Sequence, residues 1–271
     1  MDTRPIGLFD SGIGGLTIWH AVRQLLPLES LVYLADTAYF PYGARTSAEL
    51  CARAAQLVQT LLSLRCKLIV VACNTATVAA LAHLRATFPQ VPFVGVVPVV
   101  KVLATHTRTG TIALLTTPGT ADSPYLADLV TQFAPHRQVI TIGCAGLADA
   151  IEHEGVDSPR TRALLARYLA PVQDSAADVL GLGCTHYPFL RPRIELLLGP
   201  TVRVYDSAEP VARRVSDLLA AEEVLASLAV PEYHFYTTGD TARFAAQSRL
   251  LIDDCPIEPL PLRMGEAART P

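Results

Sequence analysis

Four short apolar runs occur twice in this chain, in the same order and at nearly constant separation. Ile6–Phe9, Leu31–Leu34, Leu68–Ala72 and Phe93–Val97 are followed, 105 to 111 residues later, by Thr111–Leu115, Gln138–Ile142, Val179–Leu182 and Val202–Tyr205; a ninth run, Tyr233–Thr237, comes after them. Each run has the length and aliphatic character of a strand buried on both faces. Between them lie Ser47–Leu64, Ser123–Phe133, Arg160–Asp174 and Glu209–Leu228, where apolar residues return every three or four positions, the helical period. This alternation predicts an α/β fold of mostly parallel strands covered by helices. The period is too long for a solenoid and predicts two pseudo-symmetric α/β domains. We place the first at residues 1–97 plus 208–255 and the second at 98–207. Residues 256–271, rich in proline and small polar residues, are expected to form a loose C-terminal tail.

Two of the six cysteines follow the same register. Cys73 and Cys184 are 111 residues apart, and each ends the third strand of its half before a polar continuation, Asn74-Thr75 in one case and Thr185-His186 in the other. Open parallel sheets bind ligands beyond the carboxyl ends of their strands, and both cysteines are predicted there. Two halves facing each other would aim two thiols at one cleft from opposite sides. A thiolate and a thiol so placed can take a proton from one face of a carbon and return one to the other. Helix N-termini, expected after both cysteines, and His186 beside Cys184 would lower the thiol pKa from its usual ~8.5.

Composition excludes several other chemistries. Lys67 and Lys101 are the only lysines; one opens an apolar run and the other follows one, so neither suits a pyridoxal Schiff base. The cysteines form no CxxC pair and no Cys/His ligand spacing, so neither a metal site such as zinc nor a thioredoxin-type motif is indicated; Cys51, Cys66 and Cys255 are expected to be packing residues. The net charge of −3 provides no basic face for nucleic acid or an anionic membrane. No apolar run reaches the ~18 residues of a membrane span, and the N-terminus lacks a signal-peptide pattern, so a cytoplasmic location is expected.

The remaining strand ends carry hydroxyls and turns suited to carboxylates. Asp10-Ser11-Gly12-Ile13-Gly14-Gly15 follows the first strand; it is not the dinucleotide fingerprint, because the third glycine of GxGxxG would fall on Thr17. Ala35–Gly43 ends in Pro41-Tyr42-Gly43, where Asp36 is expected to support the loop. Thr116–Thr120 takes the first loop's place in the second half, and Glu152 closes an apolar helical stretch. Trp19 is expected to be a packing residue.

Taken together, Asp10-Ser11-Gly12 with Gly14-Gly15, Pro41-Tyr42-Gly43, Cys73-Asn74-Thr75 and Cys184-Thr185-His186-Tyr187-Pro188 resemble the glutamate racemases of the aspartate/glutamate racemase superfamily, and Phe235–Asp240 (FYTTGD) is similar as well. The resemblance implies two α/β domains with the active site at their interface. It also implies cofactor-independent, two-base interconversion of L- and D-glutamate, supplying D-glutamate for peptidoglycan and hence for cell-wall biogenesis and cell shape. Cys73 would take the α-proton of D-glutamate and Cys184 that of L-glutamate, with Asp10, His186 and Glu152 assisting the thiols. Substrate would be held by Asp10 and Ser11, Tyr42 and Gly43, Asn74 and Thr75, and Thr185 and His186. A homodimer is implied, with no nucleic-acid or membrane partner. The alternatives are a racemase for another acidic amino acid such as aspartate, and a non-catalytic relative that binds a partner such as DNA gyrase.

Overall fold

The computed structural model describes residues 2–97, 99–226, 230–249, 251–252 and 255–264. The chain divides into two compact units, Met1–Val96 with Ala208–Pro271, and Val97–Ser207.

The first unit is built on a six-stranded parallel sheet. Its strands are β1 (Ile6–Asp10), β2 (Leu31–Ala35), β3 (Leu68–Val71), β4 (Phe93–Gly95), and, after the second unit, β9 (Tyr233–Thr237) and β10 (Pro259–Pro261), in the order β10-β9-β2-β1-β3-β4. The second unit has four parallel strands, β5 (Thr111–Thr116), β6 (Gln138–Gly143), β7 (Val179–Gly183) and β8 (Arg203–Tyr205), in the order β6-β5-β7-β8. Without β9 and β10 the first sheet reads 2-1-3-4, and the second has that same order in its own strands. The sequence repeat is therefore a repeat of sheet topology, with β1 matched to β5 and β3 to β7.

Local chemistry explains the helix boundaries. Thr46 caps the helix Ser47–Ser63 through a capping box with Glu49, while Ser123 and Ser158 cap Pro124–Phe133 and Pro159–Gln173, each with proline at the first helical position. Leu50, Leu57, Val58 and Leu61 of the first of these pack on Phe9, Ile69 and Val71, each side chain contributing roughly 1.5–3 kcal/mol. On the opposite face Trp19 is buried against Tyr233 and Phe235, as a packing residue.

Several boundaries differ from expectation. β4 stops at Gly95 because the Val96 N–H donates to Thr77 Oγ1 (3.0 Å) and leaves the ladder. The helix expected over Glu209–Leu228 spans Ala208–Ala221 and ends in a Schellman arrangement: Glu223 is left-handed (φ 56°), Val224 N–H donates to Leu219 O and Glu223 N–H to Ala220 O. Leu228 lies outside the described residues.

The expected tail from residue 256 needs correction. Residues 259–261 form the edge strand β10, Leu262 N–H donates to Thr237 O (2.8 Å), and Ile257 and Leu262 are buried. Its prolines suggested a break, but an edge strand tolerates proline where the missing N–H faces away from the ladder. Residues 265–271 lie outside the described residues.

Lys67 is buried in an ion pair with Glu29 (2.7 Å) and also donates to the carbonyls of Asp2 and Val224, whereas Lys101 is exposed on the helix Val100–His106. Among the described residues, no helix is long and apolar enough to cross a membrane.

Candidate active site

In each sheet the chain leaves the central strand toward one side and returns to build the other, so the strand order reverses between β1 and β3, and between β5 and β7. The crevice outside the carboxyl ends at such a reversal is the ligand position of open parallel sheets. Asp10 ends β1, and Ala72 N–H donates to Phe9 O (2.8 Å), which carries the pairing up to Cys73. In the second unit Thr116 pairs with Gly183, and Cys184 follows. Both cysteines therefore stand at a switch point.

Cys73 caps the helix Asn74–Thr87; its backbone is extended (φ −132°, ψ 123°) and its carbonyl accepts from Thr77 N–H (2.9 Å). The first-turn N–H groups present the positive end of a fourteen-residue helix beside the thiol. Ser11 Oγ lies 3.9 Å from Cys73 Sγ. Ser11 in turn belongs to the turn organised by Asp10: its N–H donates to Asp10 Oδ1 (2.6 Å), its hydroxyl lies 3.3 Å from the same oxygen, and Gly15 N–H donates to Asp10 Oδ2. Gly15 is sterically required, since a Cβ there would lie 2.7 Å from Asp10 Cβ and 2.8 Å from Tyr33 Oη. Asn74 is buried, with Nδ2 donating to Val96 O (3.4 Å), and Thr75 is half-buried in the same first turn.

Tyr42 and Gly43 lie in a short 3-10 turn, Tyr42–Ala44. The Tyr42 hydroxyl donates to Asp36 Oδ2 (2.7 Å), and burial together with the Asp36 charge pushes the phenol well above its usual pKa. Asp36 thus supports this loop as expected. A Cβ at exposed Gly43 would meet no atom within 4 Å.

The second unit surrounds its cysteine differently. The helix N-terminus expected after Cys184 is absent: a 3-10 turn, Tyr187–Leu190, comes first, and the helix starts at Arg191. Residue 188 would have to donate to Cys184 O in an α-helix, and Pro188 has no N–H; Tyr187 N–H makes the shorter bond to that carbonyl (3.1 Å). In place of a helix end, Cys184 Sγ faces His186 Nδ1 at 3.9 Å, and His186 Nε2 lies 2.7 Å from Glu152 Oε2 on the helix Leu147–Glu154. His186 and Glu152 are both buried. Burial alone would lower the His186 pKa, but its hydrogen bonds to Cys184 and Glu152 and their charges prevail and hold it well above the ordinary histidine value. The protonated form of the ring is thereby favoured over that of an ordinary histidine. Thr185, between the two, is buried.

Structure thus groups Asp10, Ser11 and Cys73 in one unit, and Glu152, His186 and Cys184 in the other. Burial pushes the Cys66 and Cys144 thiols up to about 12 and raises Cys51, so these stay protonated. Two supporting residues were not read from the sequence. Arg53 donates from Nε and Nη2 to Asp36 (2.8 and 2.5 Å), and Thr238 Oγ1 donates to the same carboxylate (2.8 Å). An arginine inside a helix carries no signal of its own; the FYTTGD motif containing Thr238 did.

Residues 17–215 match the family described as Asp/Glu/Hydantoin racemase. This chain belongs to that family. A glutamate racemase from Roseiflexus sp. (strain RS-1) is 46% identical over 244 residues, covering 89% of this chain and 90% of its own. The crystal structure of a glutamate racemase isoform from Bacillus anthracis superposes with a TM-score of 0.89 at 31% identity, covering 97% of this chain and 99% of that one. A glutamate racemase from Francisella tularensis, crystallised with D-glutamate, gives 0.85 at 28% identity, with 98% and 99% covered. The family member described here is an amino-acid racemase, an isomerase.

Proposed function

We propose that this chain interconverts L- and D-glutamate without a cofactor, using Cys73 and Cys184 as its two bases. The observation that carries the reading is the thiol at each switch point, one at a helix N-terminus and one beside a buried histidine held by a carboxylate. The similarity to glutamate racemases, including one crystallised with D-glutamate, supports glutamate over aspartate as substrate.

The reaction needs the thiols in opposite protonation states on opposite faces of the α-carbon. From L-glutamate, the Cys184 thiolate removes the α-proton while the Cys73 thiol supplies one from the other face; from D-glutamate the roles exchange. The helix N-terminus beside Cys73 and the His186–Glu152 pair beside Cys184 are the neighbours that serve the two thiols in these roles. Asp10, held by the N–H groups of Ser11 and Gly15, assists on the Cys73 side, and the His186–Glu152 pair on the Cys184 side. Ser11, Asn74, Thr75 and Thr185, with the Tyr42–Gly43 loop, hold the substrate carboxylates, where hydrogen bonds strengthen as carbanion charge develops. The product D-glutamate would serve peptidoglycan synthesis in the cytoplasm, and the protein would work as a homodimer.

Purified protein in D2O with L-glutamate, a chelator and no pyridoxal phosphate tests this. Optical rotation should decay while the Cα–H signal is replaced by deuterium, with aspartate alongside reacting far more slowly. Unchanged rotation and Cα–H for glutamate in folded protein would reject the reading.

A further inference from the structure

The FYTTGD segment has no part in the chemistry above, yet its last residues are tied to the loop that carries Tyr42 and Gly43. We propose that Thr237 at the end of β9 and the Thr238-Gly239 turn that follows it, together with Arg53, position this substrate loop through Asp36. The inference rests on the glutamate racemase reading and names positioning residues for it, since none of them touches the reacting atoms.

Asp36 is fully buried, and a buried carboxylate is costly unless its oxygens are satisfied. Four donors meet it: the Tyr42 hydroxyl, two nitrogens of Arg53 and the Thr238 hydroxyl. Thr238 Oγ1 also accepts from Ala38 N–H (3.1 Å), and Thr37 Oγ1 lies 2.7 Å from Thr237 Oγ1. The start of the loop is thereby stitched to the end of β9. Arg53, on the helix that follows the loop, pins the other end to the same carboxylate. Gly239 allows this closeness, since a Cβ there would lie 2.5 Å from Thr37 Oγ1.

The Tyr42 side chain is the end of this chain of bonds. Its hydroxyl proton is committed to Asp36, so what the side chain supplies to the site is a fixed loop. A loop ordered before substrate arrives does not charge its ordering entropy to binding. Loosening it should therefore appear in KM for both enantiomers and leave kcat nearly intact.

The test is a kinetic double-mutant cycle on the full chain, with glutamate in both directions and a thermal melt for each variant. Thr238→Val is expected to raise KM about tenfold for L- and D-glutamate with kcat within about twofold, and Thr238→Ser to restore the wild-type KM by returning the hydroxyl. In a Tyr42→Phe background, Thr238→Val should raise KM by clearly less than its factor in wild type, because the route through Asp36 to Tyr42 is already cut and only the bond to Ala38 is left to lose. If Thr238→Val does not fold, Arg53→Gln takes its place in the same cycle with the same expectations. A folded variant with wild-type KM, or effects that simply multiply in the Tyr42→Phe background, would overturn the proposal while leaving the racemase reading intact. A wild-type protein that does not turn over glutamate would overturn both.

Discussion

Cys73 caps a fourteen-residue helix and has a serine hydroxyl beside it, whereas Cys184 precedes a proline-broken turn and faces an imidazole held by a buried carboxylate. The two stand at equivalent points of equivalent sheets. Topology therefore specifies where a reactive group stands without specifying what tunes it. The helix dipole is built from backbone and does not titrate; the imidazole is a side chain that can titrate or be removed. The two halves should consequently respond differently to substitution and to pH.

The largest effect is expected where the halves are alike. Cys73→Ser and Cys184→Ser should each lower racemisation by about 10³-fold or more, in line with loss of a general acid–base group. Each should retain slow α-deuterium exchange with the one enantiomer that its remaining thiol faces. Racemisation near the wild-type rate in either variant would refute the two-base assignment.

Their difference should show with His186→Asn, which removes the imidazole beside Cys184 and should lower kcat on the order of 10²-fold. The enantiomers have equal free energy in water, so kcat/KM must remain equal in both directions whatever is mutated. The asymmetry should instead appear in isotope effects: a larger primary effect with Cα-deuterated L-glutamate, where Cys184 takes the proton, than with the D-enantiomer. Equal primary effects would mean that His186 serves both thiols alike.

Stability should distinguish the halves next. The His186 pKa is raised in the folded protein, so its stabilising contribution is complete below the ordinary histidine value of ~6.5 and is lost as pH rises through the raised folded value. Denaturation of wild type and His186→Asn between about pH 6 and pH 9 should show a difference on the order of 2 kcal/mol at the acid end that shrinks toward the alkaline end. A difference constant with pH would place the proton elsewhere.

The smallest effects separate two glycine turns of the first unit. Gly15→Ala forces a Cβ into Asp10 and Tyr33 and should cost about 1–3 kcal/mol along with activity, while Gly43→Ala meets open space and should stay within about 0.5 kcal/mol of wild type. A low kcat/KM in a stable Gly43→Ala protein would show that substrate, rather than protein, fills that space.

Most of the repeated strands were legible because strands buried on both faces read as unbroken apolar runs; β6 and β8, at the edges of the second sheet, are only partly buried and were marked by their place in the repeat, and parallel order follows from the helices between the strands. β10 was not, since three residues with two prolines resemble a break unless the neighbouring edge is known. Both thiols were legible from their register. The end of the helix prediction at Cys184 was legible in principle, because Pro188 removes the one N–H an α-helix needs there. The Glu152–His186 pair could be reached only by resemblance, since 34 residues separate its members and no helical or strand period links them. Arg53 gave no signal, because a buried arginine and an exposed one are written alike until a partner such as Asp36 is placed.

The first sheet is completed by strands that follow the second unit in sequence, and this sets an order of events on the ribosome. β2 has β1 on one side, but its other edge pairs with β9, Leu31 opposite Tyr233 through Ala35 opposite Thr237. About two hundred residues, including the whole second unit, must be synthesised in between, a delay of roughly 10–40 s at bacterial and eukaryotic elongation rates. For that time the nascent first unit presents an apolar strand edge with unsatisfied backbone groups, the kind of surface that recruits chaperones or mispairs with a neighbouring chain. The same late strand brings Thr237 and Thr238, so the loop carrying Tyr42 is pinned only after the whole second unit has been synthesised.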